Sequence, residues 1–284
     1  MFLIDFNQVV ISNFMQQVGN HTEVLEEGLL RHMVLSTIRS HRSKFVDEYG
    51  EPIICSDSKK YWRRDIFPYY KANRKKDRQK SNVDWYSLFN ILTLVRTELK
   101  EHFPYKVLNV DGAEADDIIA TLVHRYSHKE EKVLILSSDK DFMQLQKFEN
   151  VKQYSPIHKK FLKTDCPKDF LTEHIIKGDR GDGIPNVRSP DSTFVSDQRQ
   201  KPINKRLIVQ LTKNGLDCPD DQSEEIKRNW DRNKTLIDLS KVPDILQNKI
   251  VNEYQNYQMN DRNGLLNYFI HNKLNNLTEH IGEF

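Results

Sequence analysis

Three short apolar runs that stop at acidic residues constrain this chain more than any other feature. Phe2-Leu3-Ile4 stops at Asp5, Ile53-Ile54-Cys55 at Ser56-Asp57, and Val133-Leu134-Ile135-Leu136 shortly before Asp139 and Asp141. Uniformly apolar runs of this length suit strands covered on both faces. Between them lie segments with helical spacing. One covers 22–46, with Leu25, Leu29, Leu30, Met33, Val34 and Ile38 on one face; others run from Val83 to Leu99 and from Glu114 to Tyr126. Further strands are expected at Tyr105–Val110 and Val151–Tyr154. Such alternation predicts an α/β fold, a mostly parallel sheet flanked by helices. After about residue 166 the strand signal stops. Helices are expected near 168–177, 204–213, 222–238, 243–256 and 262–281, with a mobile loop over 185–203. The division is therefore 1–165, α/β, and 166–284, a smaller all-helical domain.

In open parallel sheets, ligands sit beyond the carboxyl ends of the strands. Asp5, Asp57, Asp139 and Asp141 thus aim at one crevice, joined by Glu114, Asp116 and Asp117 at a helix start. Singly, each is an ordinary turn or helix cap. Together they repel strongly unless cations neutralise them. Hard oxygen ligands suit Mg²⁺ or Mn²⁺, and several carboxylates suit two ions about 4 Å apart, the arrangement used in phosphodiester hydrolysis. Asp139 and Asp141, two apart in an extended backbone, project to the same side. In Lys177–Val187 the glycines permit a tight turn that lets Asp179 and Asp182 reach the same crevice.

The net charge is only +2, from 43 Lys/Arg and 41 Asp/Glu, but it is unevenly spread. Residues 59–80, KKYWRRDIFPYYKANRKKDRQK, hold ten Lys/Arg against two Asp, with five aromatic rings interleaved. Charge alone fits a solvated face; the rings add surfaces on which bases stack while the cations hold phosphates. Lys71 and Arg74, three apart, are expected on one helical face, gripping a phosphate. Ten glycines argue against a glycine-rich phosphate loop, and three scattered cysteines against a disulfide framework or zinc ribbon. No stretch approaches the ~18 apolar residues of a membrane span. The start, Met-Phe-Leu-Ile-Asp, does not read as a secretory signal.

The order of motifs resembles the flap endonuclease / 5′-nuclease family, whose fold is PIN-like. The match lies in L-I-D-F (3–6), Y-K-A-N-R (70–74), E-A-D-D (114–117), S-S-D-K-D-F (137–142) and G-D-R-G-D-G-I-P (178–185). S-K-K-Y-W-R-R-D (58–65), S-P-I-H-K-K (155–160) and the terminal I-G-E-F resemble its bacteriophage branch. The resemblance implies a two-metal-ion 5′-to-3′ exonuclease, flap endonuclease and ribonuclease H. It would act on RNA–DNA hybrids and on duplex DNA with a 5′ end or flap, in primer removal during phage DNA replication. It assigns Asp5, Asp57, Glu114 and Asp116 to one Mg²⁺ and Asp139, Asp141 and Asp182 to a second, with Mn²⁺ a substitute. Asp117 and Asp179 are outer-shell groups. Lys71 and Arg74 stabilise the reacting phosphate. Lys59, Lys60, Arg63, Arg64, Lys75 and Lys76 belong to an arch (about 58–82) that takes the 5′ strand.

The motif departs from the family where Gly183 replaces an Asn and where Pro185–Pro190 lacks a Gly-Ile-Gly turn. Duplex contacts then fall to Arg188, Arg199, Lys201, Lys205 and Arg206. The resemblance also implies a monomer in the host cytoplasm, with a single-strand-binding protein and a sliding clamp as partners. The alternative is a non-catalytic, structure-selective nucleic-acid-binding protein.

Overall fold

The computed structural model describes residues 1–18, 26–127 and 131–284. Leu25, and with it the start of the helix expected from residue 22, lies outside them. A six-stranded sheet runs in the order β3-β2-β1-β4-β5-β6. Its strands are β1 (Phe2–Asp5), β2 (Pro52–Cys55), β3 (Lys106–Leu108), β4 (Val133–Leu136), β5 (Val151–Ser155) and β6 (Lys160–Leu162). The first five are parallel; β6, not anticipated from its polar sequence, returns antiparallel to β5. Alternation along each strand divides the core. Phe2, Ile4, Ile54, Leu134 and Leu136 point to one face, whereas Leu3, Ile53, Cys55, Val133 and Ile135 point to the other.

The first face is covered by α1 (Phe6–Val18), α2 (Glu27–Tyr49) and α5 (Trp85–His102). The helix α1, not among the expected ones, follows β1 with no loop or punctuating residue between them. Asp5 makes that turn, its carboxylate accepting from Gln8 N at 3.3 Å. The second face carries α6 (Ala115–Tyr126) and the 3₁₀-helix Lys140–Lys147. Residues 59–80 form two short helices, α3 (Trp62–Ile66) and α4 (Asn73–Gln79).

Beyond Leu162 the described chain is helical. It comprises α7 (Pro167–Lys177), α8 (Lys205–Leu211), α9 (Glu224–Ile237), α10 (Asp244–Asn256), α11 (Leu265–His271) and α12 (Asn275–Thr278). The last two replace the single helix expected over 262–281. This helical region does not pack as one body. α7, α8 and α9 close a third core with Phe67 and Tyr70 of the basic stretch. By contrast, α10 joins the core on the α6 face, and α11, α12 and Phe284 join the α2–α5 face. The expected loop over 185–203 has no helix or strand but is pinned across its base. Asn186 N donates to Gln200 Oε1 at 2.7 Å, and Lys201 N to Ser189 Oγ at 2.9 Å. The three cysteines are free, and no helix among the described residues is long and apolar enough to cross a membrane.

Candidate active site

Strand order reverses at β1, with β2 on one side and β4 on the other, and such switch points open a crevice above the carboxyl edge. Asp5 ends β1 there. Its carboxylate accepts from Ser137 Oγ at 2.8 Å, yet burial and the nearby Asp57 and Asp139 push its pKa up to about 8. Asp57, two residues beyond β2, accepts from Ala115 N at the start of α6 (2.8 Å) and from Asn7 Nδ2 (3.1 Å). Burial raises its pKa also, although Lys71 opposes this.

Glu114 stands at the amino end of α6 and is enclosed by cations. It accepts from Lys71 Nζ at 2.5 Å, Tyr70 OH at 2.9 Å and Arg63 Nη1 at 3.0 Å. Burial pushes the Glu114 carboxyl up, but Lys71 and Arg63 outweigh it, and it is held below its ordinary value. Asp182 takes the other side of Lys71, 3.6 Å from its Nζ, and lies 2.6 Å from Arg74 Nη2. Lys71 stays charged, since Asp182 and Glu114 overcome the cost of burying it.

The remaining acids lack such partners. Asp116 makes no hydrogen bond or ion pair among the described residues, and burial, Asp139 and Asp5 drive its pKa well up. Asp139 caps the 3₁₀-helix by accepting from Asp141 N at 3.0 Å. Burial raises its pKa, and Asp182 and Asp179 add to this. Asp141 is raised further by burial and by Asp139. The crevice thus has a side neutralised by the chain's own cations, at Glu114 and Asp182. On its other side Asp5, Asp116, Asp139 and Asp141 have no ion pair to Lys or Arg among the described residues, although Lys71 acts on Asp116 and Asp139 from a distance and His174 lies 3.4 Å from Asp141. Hard, mutually repelling oxygen donors whose charge the chain's own cations offset only in part suit a divalent cation.

The G-D-R-G-D-G-I-P turn swings Asp179 and Asp182 into place, and two of its glycines are sterically required. Gly178 (φ +67°) leaves no room for a Cβ, which would lie 2.3 Å from Ile184 O. One on Gly183 (φ +72°) would lie 2.9 Å from Asn73 Oδ1 and 3.0 Å from Tyr69 O. The turn therefore lies directly against the Tyr69–Asn73 segment, where Lys71 N donates to Asp182 O at 2.7 Å.

Three expectations change. Lys71 is not on a helical face with Arg74: it occupies a left-handed turn (φ 55°) ahead of α4, and the two converge through Asp182 instead. Asp139 and Asp141 converge through the 3₁₀ turn, not an extended strand. Arg63 is not on a nucleic-acid-facing surface. It is 2% exposed, pairs with Asp117 at 2.8 Å and with Glu114, and donates to Leu236 O. Asp117, expected as an outer-shell group, is fully buried and contacts Glu114 directly. Its carboxylate accepts from Glu114 N (2.9 Å) and Trp62 Nε1 (3.1 Å). Lys59, Lys60, Arg64, Lys75, Lys76, Lys205 and Arg206 are exposed, with Lys76 paired to Asp197. Arg188 is half-buried and donates to Pro202 O.

His174, passed over in the sequence, lies between two acids. Its Nε2 is 3.2 Å from Asp179 and its Nδ1 3.4 Å from Asp141. The three groups converge closely enough to hold one cation. Burial lowers the His174 pKa, but Asp179 and Asp141 more than reverse this and raise it. Its signal was a histidine one helical turn ahead of the acidic G-D motif. Tyr70, which bonds both Glu114 and Asp182 (2.8 Å), was read only as a stacking ring.

This crevice lies within a recognised class. Residues 1–173 match the family described as 5′-3′ exonuclease, N-terminal resolvase-like domain, and the chain belongs to it. Residues 166–284 match the family described as T4 RNase H, C terminal. Among individual relatives, the chain is 37% identical to the ribonuclease H of Enterobacteria phage T4, over 99% of this chain and 95% of that one. Two solved structures share the fold at 18% identity. One shows divalent zinc ions bound to T5 5′-exonuclease (TM-score 0.66, 90% of this chain and 98% of that one). The other is a T5 D15 flap endonuclease pseudo-enzyme–product complex with DNA and metal ions (TM-score 0.62, 89% and 97%). The chain is a nuclease of the 5′-3′ exonuclease type, as its motif order implied.

Proposed function

We propose that the chain is a divalent-metal-dependent nuclease that hydrolyses phosphodiesters at the 5′ ends of RNA–DNA hybrids and duplex DNA, including 5′ flaps. The observation that carries this is the crowding of Asp5, Asp116, Asp139 and Asp141, buried carboxylates with raised pKa values and no ion pair to a lysine or arginine among the described residues. Asp5, Asp57, Glu114 and Asp116 would hold one Mg²⁺, and Asp139, Asp141 and Asp182 a second, with Mn²⁺ able to substitute. When bound, such ions stabilise charge on the phosphate and acidify the attacking water.

The chain's own groups do the rest. Lys71 and Arg74 stand at the boundary between the two sides, and a phosphate entering there competes with Asp182 and Glu114 for their N–H donors. Asp117 and Arg63 fix Glu114 from behind. His174 and Asp179 orient Asp141. The exposed cations at 59–80 track the 5′ strand, and Lys205, Arg206 and Arg188 the duplex. Primer removal during phage DNA replication in the host cytoplasm suits such an activity, as does a monomer working beside a single-strand-binding protein and a sliding clamp. The phage T4 relative's name and the DNA and metal ions of the T5 complex support this reading.

The test is a 5′-labelled primer–template incubated with Mg²⁺, with Mn²⁺ and with EDTA. Short labelled products that need the ion are expected. Binding without ion-dependent cleavage would instead favour a structure-selective binding protein.

A further inference from the structure

A separate cavity of about 280 Å³ adjoins the crevice on its α5 side, with Asp57 in the shared wall. Its chemistry is opposite to that of the crevice. Lys59, Arg78 and Arg96 line it, and Asp57 is the one carboxylate among its described lining residues. The Asp57 oxygens are already engaged by Ala115 N and Asn7 Nδ2. Neither arginine has an ion pair among the described residues. The Arg78 guanidinium lies 4.6 Å from the Phe89 ring centroid and 5.3 Å from that of Trp85. Arg96 has only long contacts, 3.4 Å to Ser56 Oγ and 3.5 Å to Asp57 O. Two half-buried guanidiniums with spare donors, facing a cavity that also holds the Tyr61 and Phe89 rings, are what one nucleotide needs: cations for its phosphate and a ring for its base.

We propose that this cavity is a nucleotide subsite, in which Arg78 and Arg96 hold a phosphate of the nucleic-acid strand next to the one cleaved at the crevice. The inference rests on the nuclease reading and adds to it a recognition element. Either an internal phosphodiester or a terminal 5′-phosphate supplies the required chemistry.

The experiment measures binding in EDTA, by fluorescence anisotropy of 3′-labelled recessed duplexes bearing a 5′-phosphate or a 5′-hydroxyl. Thr93→Glu places a carboxylate at the cavity wall. Thr93 is exposed, and its hydroxyl bonds only Phe89 O of its own helix. Arg78→Gln is the second variant. Each is expected to weaken binding about tenfold, the loss of one charge-assisted contact. Each should also lower the slope of log K against log salt by about one. Loss for both duplexes assigns an internal phosphodiester; loss for the 5′-phosphate duplex alone assigns the terminal group. Wild-type affinity and salt slope in both variants, on both duplexes, would overturn the subsite. The nuclease reading fails by a different result, no ion-dependent cleavage by the unmodified chain.

Discussion

Replacing Asp5 by Asn should stabilise the metal-free protein at pH 8 and abolish cleavage. Burial and its neighbours raise the Asp5 pKa from 3.8 to about 8, so the folded chain keeps a proton that the unfolded chain gives up near pH 4. With the folded value the higher one, stability is fully present below about pH 4 and is lost as pH rises toward 8. At about 1.4 kcal/mol per pH unit, a rise from 3.8 to about 8 bounds the loss at about 6 kcal/mol. The crevice acids share protons, and assigning half of that to Asp5 leaves about 3 kcal/mol. For a chain of this size that is about 6 °C in Tm. Asn keeps the local bonds: Oδ1 still accepts from Gln8 N, and Nδ2 can donate to Ser137 Oγ, which accepts as well as donates. Thermal unfolding of both proteins in EDTA at pH 5 and pH 8 reads the effect. The Asp5→Asn advantage should be small at pH 5, grow to several degrees at pH 8, and shrink when Mg²⁺ stabilises the wild type. An equal gap at both pH values, or a variant less stable at pH 8, would refute the electrostatic argument.

Arg63→Ala strands two buried carboxylates, so it should cost about 3–5 kcal/mol in chemical denaturation, far beyond any surface phosphate contact. Lys71→Ala should lower kcat about a hundredfold with little change in substrate Kd, one transition-state contact being worth ~3 kcal/mol; single-turnover kinetics separates the two. Asp141→Asn should abolish cleavage while leaving duplex binding in EDTA intact or tighter, because less negative charge then faces phosphate; unimpaired turnover would remove Asp141 from the metal set.

What was legible in the sequence was local. Apolar runs marked three of the strands, and the acids at their ends declared the crevice, because such runs and the residues that end them are read from pattern alone. What was hidden depended on long-range pairing. Arg63 sits in a basic run that reads as solvated, but Glu114 and Asp117, about fifty residues away, bury it. Lys71 has helical spacing from Arg74, yet it sits in a left-handed turn, where its N–H donates to Asp182 O and Gly183 packs against Tyr69 and Asn73. The spacing of Phe6, Val9, Val10 and Phe14 does announce α1. It was obscured because Asp5 serves as strand end, metal-site candidate and helix cap at once.

The most direct measurement is the stoichiometry of Mn²⁺ bound to the metal-free chain at neutral pH, followed by electron paramagnetic resonance for the wild type and Asp139→Asn. Two ions per wild-type chain and at most one tightly held ion in the variant are predicted. A wild type that binds no ion, or a variant that binds as the wild type does, would contradict the assignment of these acids to a cation site.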